Sequence, residues 1–152
     1  MLHRRDWLAR AAGVAAALAG LGLLPRSAQA AWSQGAFEAK SLLDVLKALG
    51  AAAPVESKEV VLTGPEIAEN GAVVPVAASA TAAGVRRIVL MIEKNPTMLA
   101  AVFDVSDAIE PSFSTRVKMA QSSNVIAAAI TGDGRVLYAV KEIKVTLGGC
   151  GG

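Results

Sequence analysis

The chain has 152 residues, 53% of them hydrophobic and 18% charged, with 15 Lys and Arg against 13 Asp and Glu, one His and one Cys. A single His and a single Cys exclude zinc or copper centres built from imidazoles and several thiolates, and no carboxylate cluster shows the spacing of a hard-metal loop. The small basic excess sits at the start of the chain, so the rest gives no electrostatic case for a nucleic-acid or anionic-membrane partner.

Residues 1–30 read as an export signal: Arg4, Arg5 and Arg10 lead into an apolar run over 11–24, followed by Pro25, Arg26 and the small-residue site Ala28-Gln29-Ala30. Cleavage is expected after Ala30. The pair Arg4-Arg5, with Trp7 and Leu8 just after it, resembles the twin-arginine type of bacterial signal, with Trp7 where Phe is more usual. Fourteen apolar residues fall short of the ~20 that span a bilayer, and no later segment is longer, so a periplasmic protein without a membrane span is expected. Cleavage removes four basic residues, Asp6 and His3, leaving 122 residues with 11 basic and 12 acidic side chains. Neither a Ser-His-Asp nor a Cys-His centre can then be built within the chain, and no catalytic residue, metal or cofactor is assigned. A lone cysteine in an oxidising compartment is a mixed-disulfide partner or a reactive thiol.

The mature chain is long enough for one domain, expected over 31–147. Its first element is a helix between Gly35 and Gly50, where Phe37, Leu42, Leu46 and Leu49 recur at roughly helical spacing and Gly50 is the stop. From Pro54 onward the pattern is that of strands, expected over 58–63, 72–80, 86–93, 98–105, 112–120, 124–131 and 135–147, with a short turn over 65–69. Seven such segments predict a mainly β fold, an antiparallel immunoglobulin-like β-sandwich with an N-terminal helix, though without the Cys pair and core Trp of antibody domains. Phe113, Thr115, Val117 and Met119 alternate with Ser114, Arg116 and Lys118, as one buried and one wet face require. Thr131-Gly132-Asp133-Gly134 reads as a hairpin turn. In the last strand the apolar set passes from Val136, Tyr138 and Val140 to Ile143, Val145 and Leu147, a parity change that predicts a β-bulge or a handover between sheets near Lys141-Glu142.

That strand runs into Gly148-Gly149-Cys150-Gly151-Gly152, where the only thiol sits among four glycines. Glycine loses the most conformational entropy on ordering, so residues 148–152 are expected to form a flexible arm that carries Cys150 beyond the rigid body, and fraying of the strand would lengthen it. No cation or helix start neighbours Cys150 in sequence, so a partner's pocket must supply its activation. Asp104, Asp107 and Glu110 read as a solvated loop rim, Arg86-Arg87 as solubilising strand-end charges, and Tyr138 as core. Two rival classes follow from one exposed thiol: an interaction module that uses Cys150 for an interchain disulfide, and a one-cysteine peroxidase, which would need an activating pocket and a resolving thiol from elsewhere.

The export signal, the strand-rich body, the run 85–93, the segment from Asn124 onward and the Gly-Gly-Cys-Gly-Gly tail together resemble the SoxY family, sulfur-carrying subunits of the bacterial thiosulfate-oxidising Sox system. The resemblance implies a carrier without enzymatic activity of its own, in which Cys150 is the point of covalent attachment and Gly148, Gly149, Gly151 and Gly152 form the arm. It implies a heterodimer with a SoxZ-like subunit and visits to SoxAX-, SoxB- and SoxCD-like enzymes. Thiosulfate-derived sulfur species would be the cargo. Haem, manganese and molybdenum would belong to those enzymes, so no cofactor is expected here.

Overall fold

The computed structural model describes residues 34–147, which form two short helices and nine strands. Helices α1 (Gln34–Glu38) and α2 (Leu42–Ala48) divide the single helix expected over 35–50. The division falls at Ser41, whose extended backbone (φ −132°, ψ 155°) lets its hydroxyl accept the Asp44 N–H at 3.1 Å and start a new helix as its N-cap. Gly50 ends that helix as expected. At φ +73° it adopts the left-handed conformation, donating to the Lys47 carbonyl at 3.0 Å while Ala51 donates to Leu46 at 2.8 Å, the paired bonds of a Schellman cap.

The strands are β1 (Pro54–Glu56), β2 (Val60–Thr63), β3 (Ile67–Asn70), β4 (Val74–Ala80), β5 (Val85–Ile92), β6 (Leu99–Asp104), β7 (Ser112–Val117), β8 (Ser123–Thr131) and β9 (Val136–Leu147). All seven expected strands are present. The two additions are β1 and β3, short edge strands parallel to β9, and β3 stands where a turn was expected over 65–69. One sheet has the order β1-β9-β8-β5-β6, with β3 on the same side of β9 as β1 but farther along it; the other has the order β2-β4-β7. The chain therefore leaves the edge of the large sheet after β1, crosses to the small sheet as β2, and returns as β3.

Two cores result. Ile88, Leu90 and Ile92 of β5, Val125, Ala127 and Ala129 of β8, and Leu137 and Ile143 of β9 face Val74, Val76 and Ala78 of β4 between the sheets. Val89 and Met91 of β5, Ile126 and Ala128 of β8, and Val136 of β9 face Ala36, Val45 and Leu46 of the helices on the other side. Strands β5 and β8 are thus covered on both faces, which accounts for their nearly unbroken apolar sequences. Phe37, Leu42, Leu49 and Tyr138 pack at the margin of the helical core.

The parity change expected in β9 is not a bulge. Its register with β8 is constant from Ser123↔Ile143 to Ile130↔Val136. Leu137, Ala139, Ile143 and Val145 face the other sheet throughout, while Val136 and Tyr138 lie under the helices and Val140, beyond their reach, is 43% exposed. A strand covered on its second face only at one end mimics a change of parity. The true irregularities lie elsewhere: β5 pairs Val85 with Thr131 but Arg87 with Ile130, making Arg86 an extra residue, and β6 pairs Ala101 with Leu90 but Leu99 with Met91. Each bulge moves the strand's side chains to the other face, so Val85 and Ile88 share one core and Leu99 and Ala101 face different cores.

The Thr131 turn is confirmed by Thr131 N–H to Arg135 C=O at 3.0 Å, Gly134 N–H to Thr131 C=O at 3.0 Å, and Gly134 at φ +90°. Asp133 accepts hydrogen bonds from the Thr131 hydroxyl and the Arg135 guanidinium, which lower its pKa from 3.8 to about 2.

Two outcomes follow from this architecture. Ile143→Ala should destabilise the domain by about 2–5 kcal/mol in denaturant unfolding, whereas Val140→Ala should change it by roughly 0.5 kcal/mol or less; similar losses would contradict the unbroken alternation of β9. Because the folded pKa of Asp133 lies below its ordinary value, the turn's charge contribution is complete above about pH 4 and disappears as pH falls through about 2. Asp133→Asn should therefore lower the melting temperature at neutral pH and leave it nearly unchanged near the acid limit.

Candidate functional site

Cys150 and Gly148, Gly149, Gly151 and Gly152 lie outside the described residues, as do the signal residues Arg4, Arg5, Trp7, Leu8, Ala28 and Ala30. What the structure does describe is the root from which the thiol-bearing segment leaves. The ladder of β8 with β9 ends at the pair Ser123↔Ile143. One step further the Ser122 side chain takes the place of the missing strand: its Oγ accepts the Val145 N–H at 2.8 Å and donates to the Val145 carbonyl at 3.4 Å.

The opposite edge of β9 is held by β3, through Ile67↔Lys144, Ala68↔Val145 and Asn70↔Leu147. Lys144 N–H donates to the Glu66 carbonyl at 2.9 Å, and the Thr146 hydroxyl to the Glu69 carbonyl at 3.0 Å. Gly71 closes the series by donating to the Leu147 carbonyl at 2.8 Å, while its own carbonyl accepts the Met119 N–H at 2.7 Å. The Asn70 side chain accepts the Ala72 N–H at 2.9 Å and shapes this corner between the sheets. The strand is therefore bonded as far as Val145 on the Ser122 edge and through its last described residue, Leu147, on the β3 edge. Leu147, the last residue of this ladder, is three residues and roughly 10 Å of extended chain from Cys150.

Chain direction identified the strand that leads to Cys150, but not the clamp. Ser122 carries no local signal, because it acts by replacing a ladder bond to a residue 23 positions away. Gly71 and Thr146 are equally silent until β3 is known to be a strand.

The other candidates are structural. Asp104 pairs with Arg87 at 2.8 Å and Asp107 with Arg86 at 2.7 Å, so the rim before Pro111 is an ion-paired edge. The Glu110 carbonyl accepts the Ser112 N–H at 2.8 Å. Among the described residues no group of His, Cys, Asp and Glu is arranged to hold a metal ion. Nor is any helix among them long and apolar enough to cross a membrane.

The family model of the sulfur oxidation protein SoxY matches residues 45–150, a span that ends on Cys150. The solved structure of the sulfur carrier protein SoxY from Chlorobium limicola f thiosulfatophilum is 34% identical, with a TM-score of 0.61 over 68% of this chain and 93% of that one. Superoxide reductase (neelaredoxin) from Ignicoccus hospitalis matches at 22% identity and TM-score 0.51 over 57% of this chain and 79% of that one, a likeness of fold alone. No curated protein matches.

Ser122→Ala tests the clamp. Loss of a bond worth about 0.5–1.5 kcal/mol should speed hydrogen exchange of the Val145 amide roughly 2- to 13-fold, leaving Ile126 and Val89 unchanged. An unaltered Val145 rate would mean that β3 alone secures the root.

Proposed function

This chain belongs to the SoxY family, and from that membership we propose that it is a periplasmic covalent sulfur carrier that holds thiosulfate-derived intermediates on Cys150. The observation that carries the reading is the family match, which reaches Cys150, three residues beyond the last residue of β9. A carrier needs a reactive atom on a narrow segment and a body that does not move with it. Cys150 between two glycine pairs meets the first need, and the clamped end of β9 meets the second.

The chemistry is divided accordingly. The Cys150 thiolate forms a sulfur–sulfur bond to the sulfane end of thiosulfate, and the two electrons released pass to the haem of a SoxAX-like protein. Water then cleaves the sulfane–sulfonate bond on a SoxB-like hydrolase, releasing sulfate and two protons and leaving a persulfide on Cys150. A SoxCD-like enzyme then takes electrons from that remaining sulfur as water oxygens convert it to a sulfonate, which a second hydrolysis releases as sulfate. The chain performs none of these steps alone and acts as a heterodimer with a SoxZ-like subunit. Leader cleavage after Ala30 follows export, guided by Arg4, Arg5, Trp7 and Leu8.

Intact-protein mass spectrometry with fragmentation of the C-terminal peptide tests the reading, with thiosulfate and the partner enzymes present or absent. Reducible sulfur adducts are expected on Cys150 and on no other residue, and Cys150→Ser should abolish thiosulfate-dependent electron transfer. A bare thiol or only a symmetric disulfide under all conditions would favour the interchain-disulfide module instead. Val at Gly148 and Gly149 should leave folding intact and slow every enzyme step.

A further inference from the structure

The outer face of the β2-β4-β7 sheet carries a groove of about 470 Å³ along β4. Pro75 and Ala77 floor it; Thr63 and Pro65 form one wall and Ser114 and Arg116 the other. The register explains the shape. Ala77 pairs with Thr63 on one side and Ser114 on the other, and Pro75 pairs with Arg116, so small side chains run down the middle between taller rows.

Arg116 differs from the other arginines of the described residues. Arg86, Arg87 and Arg135 each pair with an aspartate within 2.9 Å, whereas Arg116 has no carboxylate partner among those residues. Lys118 is exposed two residues further along, so the positive charge continues from the groove toward the corner at Gly71. That corner is bonded to both Met119 and Leu147, which puts the cationic stripe and the root of the Cys150 segment at the same end of the sandwich. From Gly71 to Pro75 is at most roughly 13 Å of chain at about 3.3 Å per residue. Gly148, Gly149 and Cys150 span roughly 10 Å, and a disulfide-linked sulfonate adds several more beyond the S–S bond of about 2 Å. The Arg116 side chain covers the remainder.

We propose that this groove is a docking site for residues 148–152 when Cys150 carries a sulfonate-terminated adduct, with Arg116 and Lys118 binding the sulfonate and Ser114 and Thr63 offering hydroxyl donors. The inference rests on the carrier reading for its ligand, but its test does not need the partner enzymes. The occupant is argued from reach and from charge complementarity: the adduct adds a permanent anion to a segment whose glycines present no bulk to a trough floored by Ala77 and Pro75. A guanidinium is well suited to a planar or tripodal oxyanion.

Tetrathionate prepares the adduct without enzymes. The Cys150 thiolate attacks a central sulfur, a new S–S bond forms, the central S–S bond of tetrathionate breaks, and thiosulfate leaves with the electron pair. Methyl methanethiosulfonate supplies a neutral control, giving a methyl disulfide on Cys150 and releasing methanesulfinate. In amide NMR spectra of the full exported chain, the sulfonate form should shift Ala77, Ser114 and Arg116 relative to both the bare thiol and the methyl disulfide. The shifts should shrink several-fold in Arg116→Gln, persist in part in Arg116→Lys, and fade with added salt. Identical spectra for the two adducts, or sulfonate-specific shifts undiminished in Arg116→Gln, would overturn the proposal. Neither result would touch the carrier reading, which stands or falls on sulfur transfer to Cys150.

Discussion

The twelve residues of β9 are the constraint on which the rest depends. One edge is paired along eight residues with β8, and the other is shared by β1 near its start and β3 near its end. Both edge strands run parallel to β9 along the same edge, and the chain between them leaves the sheet instead of continuing along it. That excursion is β2, which founds the second sheet. The excursion thus links the two sheets, and the segment carrying the thiol follows a strand that is paired with β8 on one edge and with β1 and β3 on the other.

Burial on both faces of β5 and β8 has its own consequence. Ala127, Ala128 and Ala129 are all fully buried, so β8 contributes little side-chain volume to either core, and Leu90, Ile88, Met91 and Met119 fill the space from other elements. Among the described residues the buried polar side chains are Ser123 and Thr131, and no buried side-chain nitrogen or oxygen lacks a hydrogen-bond partner. Chemistry is pushed to the periphery, where the acidic rim is consumed by Arg86 and Arg87 and the turn aspartate by Arg135. What stays unspent on the described surface includes Arg116 and Lys118, at the end where β9 finishes.

The strands from β4 onward were legible because Val, Ile and Thr runs punctuated by Gly, Pro and Asp leave few alternatives. The helix was read too long, since spacing of Phe37, Leu42, Leu46 and Leu49 does not reveal that Ser41 restarts the backbone between them. Strand β3 was missed because Ile67-Ala68-Glu69-Asn70 has only one buried residue and owes its conformation to a partner 77 residues away. The parity of β9 was misread for a related reason: sequence shows which residues are apolar, not which stretch of a face a helix happens to cover. Of the site, the thiol and its glycines were plain in the sequence, whereas the clamp depends on tertiary pairing and had no local mark.

In the proposed cycle, the clamped root and the anion-binding trough act at different points. On that reading the clamp sets the point from which residues 148–152 leave, so each partner enzyme would meet the same length of chain. The trough acts only through its preference for one adduct over another, since a surface that binds all forms equally shifts no population. An exposed ion pair contributes about 0.2–1 kcal/mol, which biases the sulfonate form toward the groove by roughly 1.4- to 5-fold and no more. That weakness fits a carrier. Tighter docking would reduce the fraction of chains free to enter a partner and slow each transfer by the same factor, whereas a bias of this size shields a reducible sulfur–sulfur bond part of the time and leaves the arm available. If the trough holds the sulfonate as proposed, its loss as sulfate removes the anion facing Arg116, and the hydrolysis that creates the persulfide also frees it from the trough.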